Sequence, residues 1–504
     1  MTARGRRRDR DGGPSLAPVP RRLVNPHPPL RALSDDAVEA VLDAAHRILA
    51  EGGVEVRSAR ARAALVAHGG VEGEDAMVRL PRDAAEALLA TAPATFTLRS
   101  RNPLKDVHFG GDVVNFCAAS GAPNVADRLR GRRFGDISAM REIVRLNCAL
   151  GAVHVSGGEV VEPIDVPVPL RPAMMAHAHI TEGDLVWAAR GIGREPVEDA
   201  VAMTCLARGI TRDDLRADPS LLIVTNANSP RRLDEELLEG AIAMAEMGQC
   251  VIATPFTLAG AMAPVTLAGA LALQTAEAVA IMAIVQAVNP GAPVVYGGFT
   301  SNVDMKSGSP AFGTPEYVRA TLAGGQMARR LGVPYRTSGP TSSTSVDAQA
   351  AWETQFSLFA AIMAHGNLIV HAAGWLEGGL TNSLEKIVVD TEILRGWAES
   401  LRPVDASPAD LAVDDILAIP PGGHFFGAAH TMSRFETAFH RPLVADVAGF
   451  EAWKEKGSED AATRATAVWQ RVLADYEPPP LPADVREALD GYVAQRAALI
   501  PGAA

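Results

Sequence analysis

Short apolar runs and longer amphipathic stretches take turns along most of this chain. The apolar runs cover 113–117, 152–156, 185–189, 221–225, 250–254, 294–298, 334–338 and 367–372. Between them, helical spacing predicts helices near 136–149, 172–183, 196–208, 233–247, 266–288, 315–331 and 347–364. About eight strand-then-helix units is the pattern of a (β/α)8 TIM barrel, an α/β fold. Runs such as LLIVT (221–225) and CVIAT (250–254) are apolar throughout, as in a parallel sheet covered on both faces. A doubly wound open sheet shares the alternation, but the regular repetition favours the barrel.

Ahead of the repeats, Ser34 or Asp35 caps a predicted helix running to about 51, with Val38, Val41, Leu42, Ala45 and Leu49 at helical spacing. A second helix is expected over 82–90, then extended pieces at 96–99 and 107–109. The expected organisation is a disordered basic tail over 1–33, an N-terminal cap over 34–110 and a barrel over 111–379. A C-terminal helical extension over 380–504, packed on the barrel, has helices near 464–476 and 484–498. The stretch 266–288 is long enough to cross a bilayer, but Gln274, Thr275, Glu277 and Gln286 lie within it. It reads as a buried helix or a subunit interface in a homo-oligomer, with no membrane partner.

Composition narrows this picture. The chain has 504 residues, 48% hydrophobic and 21% charged, which excludes global disorder and allows a large core. A net charge of −12 makes nucleic acid a poor partner. The four cysteines (Cys117, Cys148, Cys205, Cys250) are scattered, which fits reduced thiols in a cytoplasmic protein. The arginine-rich N-terminus carries no apolar stretch of a secretory signal.

In a barrel, chemistry gathers where strands end. Those points hold Ser120, Glu159, Arg190, Asn226, Asn228, Thr254, Thr257, Thr300, Asn302, Arg336, Ser338, His371, Trp375 and Glu377. Arg336 is the clear anion clamp and His371 the clear proton-active group. An arginine inside an apolar strand is costly to bury unpaired, so it is there for function or for a structural ion pair. Other patterns fail on context. Asp106-Val-His108-Phe-Gly-Gly111 has the D-x-H-x-x-G spacing of cobalamin-binding domains, but it precedes the first strand with no Rossmann-like unit after it. Gly191-Ile-Gly193 meets Pro196 where a dinucleotide motif needs glycine. No metal-ligand spacing emerges.

Three long runs carry a family signal: TPFTLAGAMAPVTLAGALALQTAEA (254–278), NPGAPVVYGGFTSNVDMKSGSPAFGTPEY (289–317) and NLIVHAAGWLEGGLTNSLEKIVVDTEI (367–393). With GGHFFGAAHT (422–431), they make the chain resemble the trimethylamine methyltransferase superfamily from about residue 35 onward. The resemblance implies a (β/α)8 barrel that passes a methyl group from a methylated amine to the Co(I) of a separate corrinoid protein. It implies no tightly bound cofactor, the corrinoid being supplied by that partner. Founding members carry pyrrolysine; this chain has only standard residues and resembles the other branch, whose members act on quaternary amines such as glycine betaine.

The chemistry agrees. A quaternary ammonium leaves as a neutral amine and needs no general acid. The protein must hold a cation without hydrogen-bond donors, best done by aromatic faces and carboxylates. Tyr335, Phe356 and Trp375 are the expected aromatics and Glu377 the counter-charge. Arg336 and His371 are expected to anchor a betaine carboxylate. Asn226, Asn228, Ser120 and Thr300 complete the candidate site. Two readings stand beside this one: a methyltransferase for trimethylamine or another amine without a carboxylate, and a non-catalytic quaternary-amine binder.

Overall fold

Residues 18–20 and 22–500 are described by a computed structural model. A strand lies within each predicted run: Val113–Val114 in the first, which pairs antiparallel with Leu23–Val24 outside the parallel sheet, then β1 (Val155–Ser156), β2 (Val186–Trp187), β3 (Leu222–Thr225), β4 (Cys250–Ala253), β5 (Val294–Gly297), β6 (Tyr335–Ser338) and β7 (Leu368–Val370). Strands β3 to β7 form one parallel sheet in sequence order, and β1 pairs in parallel with β2. Single parallel bridges link Ala188 to Leu222, Cys117 to Val155 and Phe116 to Ile369. The fold is mixed α/β around a parallel half-barrel sheet.

Helices follow the strands closely: α1 (Ile137–Leu150), α2 (Arg171–Glu182), α3 (Arg194–Arg208), α4 (Glu235–Glu246), α5 (Leu267–Val288), α6 (Pro315–Leu331), α7 (Ala348–Met363) and α8 (Leu384–Ser400). Strand alternation sorts the core. Val251, Ala253, Val294 and Tyr296 face α4 and α5 in one large apolar cluster. Leu222, Cys250, Ile252, Val295 and Leu368 face the other way, meeting Cys117, Val155 and Val186. A hairpin of Phe96–Leu98 and Val107–Phe109 packs into this second cluster. Arg99 N bonds Pro219 O just ahead of β3, so the hairpin closes the N-terminal end of the strands and leaves the other end for chemistry.

Helix α5 is the one described helix long and apolar enough to cross a membrane, and 89% of its apolar window is buried inside the chain. Its polar residues have partners there. Gln274 donates to the Tyr296 hydroxyl at 2.8 Å, and Glu277 accepts from Ser229 Oγ at 2.6 Å. The helix therefore serves the chain's own core, not a subunit interface.

Three expectations need correction. The disordered tail does not extend to residue 33: Leu23–Val24 pairs with Val113–Val114, and buried Asn25 donates to Ile362 O at 2.9 Å. Residues 1–17, most of the expected tail, lie outside the described residues. The boundary at 379/380 cuts a repeat, because α8 follows β7 and packs against α7. The extension is not packed throughout. Helices α9 (Ala461–Ala474) and α10 (Ala483–Ala498) contact α8 and α1, and α2 and α3, respectively, but no residue from 402 to 442 is buried.

Candidate active site

Neighbouring residues on a strand face opposite ways, and β6 shows the consequence. Tyr335 faces the helices. Its hydroxyl donates to Thr321 O at 2.9 Å, and a Cβ on Gly298 or Gly324 would come within 2.5 Å of its oxygen. Both glycines make room for the ring, so Tyr335 is core. Arg336 faces inward and is 2% exposed. Its Nε and Nη1 have no hydrogen-bond partner, and its guanidinium carbon lies 5.0 Å from the Phe299 ring centroid. Burial pulls its pKa down to about 10. Across from it, burial pushes the Cys117 thiol up to about 12, so it stays protonated.

His371 lies one residue past β7 in a left-handed conformation (φ 59°). Its ring centroid is 3.8 Å from that of Trp375 and 5.5 Å from that of Phe299. Burial first, then the charge of Arg336, holds its pKa well below the ordinary histidine range. At neutral pH the imidazole is uncharged, and its buried Nδ1 has no partner. Trp375 Nε1 is likewise buried and unpaired, as are the hydroxyls of Thr225, Thr254, Thr257 and Ser338. These orphaned groups gather at the C-terminal ends of the strands. Buried polar atoms normally find partners, so such a concentration marks a place where a ligand completes the set.

Aromatic faces form the other wall. Phe299 stacks on Phe312 at 5.4 Å and tilts against Phe256 at 4.9 Å, and Trp375 meets Phe312 edge-on at 6.3 Å. Tyr317 closes the group, its hydroxyl donating to Ser338 O at 2.8 Å. Three supports hold these walls. Gln274 of α5 accepts from Phe299 N at 3.2 Å and from the Thr300 hydroxyl. Gly374 N, between His371 and Trp375, donates to Asp390 at 2.9 Å, and Asp390 is paired with buried Lys386. Gly379 (φ 108°) lies where a Cβ would come within 2.5 Å of the Trp375 ring.

The expected site residues divide. Arg336, His371 and Trp375 come together. Ser120 follows Ala119, which packs in the aromatic cluster, and is half-buried. Phe356 does not join: it sits on the outer face of α7 and is 39% exposed. Glu377 is held by Arg132 Nε at 3.0 and 3.1 Å, which removes it as a free counter-charge. Thr300 is committed to Gln274. Asn302 accepts from Thr314 Oγ1 at 3.0 Å, and Asn228 bonds Asp234 within a turn. Asn226 is exposed one residue past β3. Glu159 and Arg190 pair with each other at 2.8 Å. Phe256, Phe299, Phe312 and Tyr317 were missed. Phe256 and Phe299 lie beside chosen threonines just past strand ends, a usable signal. Phe312 arrives on a hairpin and Tyr317 on α6, with no such signal. His108, of the D-x-H-x-x-G spacing, bonds Thr97 at 2.9 Å in the hairpin at the far end.

The arrangement offers a buried cation with free N–H donors, a neutral imidazole and an aromatic enclosure. That suits a small zwitterion with a carboxylate at one end and a quaternary ammonium at the other.

Comparison with known proteins agrees. The model of the family described as trimethylamine methyltransferase (MTTB) matches residues 2–501. The chain is 34% identical over 471 residues to glycine betaine methyltransferase of Desulfitobacterium hafniense (strain Y51), covering 93% of this chain and 98% of that one. It is 26% identical to the trimethylamine methyltransferase MttB of Desulfitobacterium hafniense (strain DSM 10664 / DCB-2), covering 92% of this chain and 93% of the other. Among solved structures, the monomethylamine methyltransferase of Methanosarcina barkeri aligns with a TM-score of 0.50 at 10% identity, covering 88% of each chain, a likeness of fold alone.

Proposed function

The chain belongs to the trimethylamine methyltransferase family, and from that premise we propose that it moves a methyl group from glycine betaine, or a betaine of the same build, to the Co(I) of a corrinoid on a separate protein. The observation that carries the choice of substrate is Arg336, a cation 2% exposed whose Nε and Nη1 meet no acceptor. A betaine supplies the missing carboxylate; trimethylamine has none. On the same proposal the parallel sheet closes as a (β/α)8 barrel, supported by the three bridges joining residues 116–117, β1, β2, β3 and β7.

The residues then divide the work. Arg336 takes the carboxylate through its free N–H groups, with Trp375 Nε1 or His371 as a second donor. Phe299, Phe312 and Trp375 face the ammonium. Anchoring one end and enclosing the other leaves a methyl group directed toward the open end of the strands. When that methyl is transferred, the C–N electron pair stays on nitrogen and a neutral tertiary amine remains. The corrinoid, a second substrate on its own protein, supplies the electron pair of the new bond. Nothing must be protonated, which fits a site whose histidine is neutral. The aromatic enclosure keeps water away from the reacting carbon.

The test mixes purified protein, cob(I)alamin and a panel of betaines and methylamines, and follows methyl-Co(III) by absorbance. Glycine betaine is expected to give the methylated product and trimethylamine to give none. No spectral change with any betaine overturns the assignment.

A further inference from the structure

Strand β6 runs into Gly339-Pro-Thr-Ser-Ser-Thr-Ser345, a stretch of turn formers with no large apolar side chain to pack. Thr341 and Ser343 are nevertheless buried. Hydrogen bonds to one carboxylate hold them there. Glu353 of α7 is 7% exposed, and its Oε2 accepts from Thr341 Oγ1 at 2.5 Å, Ser342 N at 2.8 Å and Ser343 N at 3.1 Å. Gln349 Nε2 donates to its other oxygen at 2.8 Å. All four donors are neutral. A buried carboxylate met only by neutral groups is an expensive way to anchor a loop, so the loop's placement matters beyond the fold.

That loop carries both halves of the aromatic enclosure. On one side, Ser342 Oγ accepts from Phe312 N at 2.8 Å. A Cβ on Gly313 (φ 68°) would come within 2.4 Å of Glu353 Cβ, so the hairpin of Phe312 lies directly on α7 at this residue. On the other side, Ser343 O accepts from Glu377 N at 2.8 Å and Thr341 O from Gly378 N at 3.2 Å, just past Trp375. Phe312 and Trp375 meet edge-on at 6.3 Å. Their backbones are tied to the same three residues, and those three residues are tied to Glu353.

We propose that Glu353 is a positioning residue for the ammonium end of the site. It fixes Phe312 and Trp375 against each other, and so sets the preference for a cation over an uncharged ligand of the same shape. The ligand in this proposal rests on the betaine reading; the tie between Glu353 and the two rings does not. Arg336 stands outside the network, its backbone held in register by β5 and β7. Loss of Glu353 therefore acts on the ammonium end and spares the arginine. A role confined to stability would weaken charged and uncharged ligands alike.

Two measurements on the full chain compare the wild type with Glu353→Leu and Glu353→Gln. The first is hydrogen–deuterium exchange of the ligand-free protein, read by mass spectrometry. Leucine is expected to speed exchange in 310–314 and 375–379 about tenfold, as one lost hydrogen bond would, while α5 stays protected. Glutamine keeps an amide oxygen for Ser342 N and Ser343 N and is expected to restore the wild-type rates. The second is isothermal titration with glycine betaine and with 3,3-dimethylbutyrate, the carbon isostere that lacks the positive charge. Leucine is expected to lower the preference for betaine about 5- to 30-fold, the range of a desolvated cation–π contact, and glutamine to keep it within about threefold. Equal loss of both ligands overturns the proposal, as does exchange that rises everywhere or in neither segment, or a glutamine variant that behaves as leucine does. A wild type that binds neither ligand overturns the betaine reading instead, and exchange then decides whether Glu353 positions the two rings. Should Glu353→Leu fail to fold, Ser342→Ala removes only the bond to Phe312 N. Faster exchange confined to 310–314 supports the proposal, and unchanged exchange there refutes it.

Discussion

Replacing Arg336 with Met separates a ligand clamp from a structural ion pair, because the two predict opposite changes in stability. In the free protein the guanidinium is buried with no carboxylate partner and its pKa is pulled to about 10. Against an ordinary value near 12.5, at about 1.4 kcal/mol per unit, burying the cation costs about 3 kcal/mol. Both folded and unfolded states are charged below pH 10, so this cost is fully present at pH 7. It is relieved only as the pH rises from about 10 toward the unfolded value. The face of Phe299 returns about 1 kcal/mol. Methionine fills similar space without the charge, so the variant should be more stable by about 2 kcal/mol. Unfolding entropy near 2 cal/mol/K per residue makes that a rise of about 2 °C in Tm for 504 residues. Two charge-assisted hydrogen bonds to a carboxylate contribute about 3–6 kcal/mol, so the same variant should bind glycine betaine about 10²–10⁴-fold more weakly. Scanning calorimetry and isothermal titration read the two effects. A lower Tm with unchanged betaine affinity would refute the reasoning and make Arg336 a structural residue.

Other changes test the walls of the site and the corrected residues. Phe299→Leu removes a ring that faces both Arg336 and the proposed ammonium; at about 1–2 kcal/mol for a desolvated cation–π contact, KM for glycine betaine should rise about 5- to 30-fold in steady-state kinetics. Phe356→Ser, on the outer face of α7, should leave kcat and KM within twofold, and a large rise in KM would restore it to the site. Tyr335→Phe loses the bond to Thr321 O, so denaturant titration should show a loss of about 1 kcal/mol while KM is unchanged. Acid should destabilise the fold through His179, which bonds Gly158 O at 2.7 Å and whose pKa burial lowers to about 4. Its contribution is full above the unfolded value near 6.5 and is lost as pH falls from there to about 4, by about 3 kcal/mol. His179→Gln should flatten the pH dependence of urea midpoints across that window, and an unaltered profile would count against it.

The fold was legible in the sequence because strand and helix periods are local properties. LLIVT and CVIAT fell at β3 and β4 within a residue, and α6 begins at the predicted Pro315. The segment 402–442 was less legible: the sequence places it in a packed helical extension, and only the tertiary structure leaves Ile416, Leu417 and Phe426 exposed. Within the site, Arg336 stood out because a charge in an apolar strand is expensive to bury, and His371 because it is a proton-active group just past a strand end. The Tyr335 assignment contradicted a rule already in hand, since a residue adjacent to Arg336 on a strand faces away from it. Phe312 and Tyr317 were out of reach: they come from a hairpin and a helix start brought beside Trp375 by contacts distant in sequence.

What the site lacks is as informative about its chemistry as what it holds. The nearby carboxylates are already committed, Glu377 to Arg132 and Glu353 to Thr341 and Ser343 N. Burial first, and then the cation beside it, keep the imidazole of His371 neutral. Such a set is poorly suited to cutting an amide or ester, which needs a proton taken from a nucleophile and given to a leaving group. It is well suited to a displacement in which the leaving nitrogen only sheds its positive charge. Neutralising Arg336 with a substrate carboxylate removes the second cause of the depressed His371 pKa, so a bound betaine should raise that pKa and tighten as pH falls toward it. Aromatic faces stabilise the ammonium but lose that contribution once nitrogen is neutral. On the proposed assignment the carboxylate held by Arg336 is unaffected by the transfer, so it fixes the direction of the methyl throughout the step.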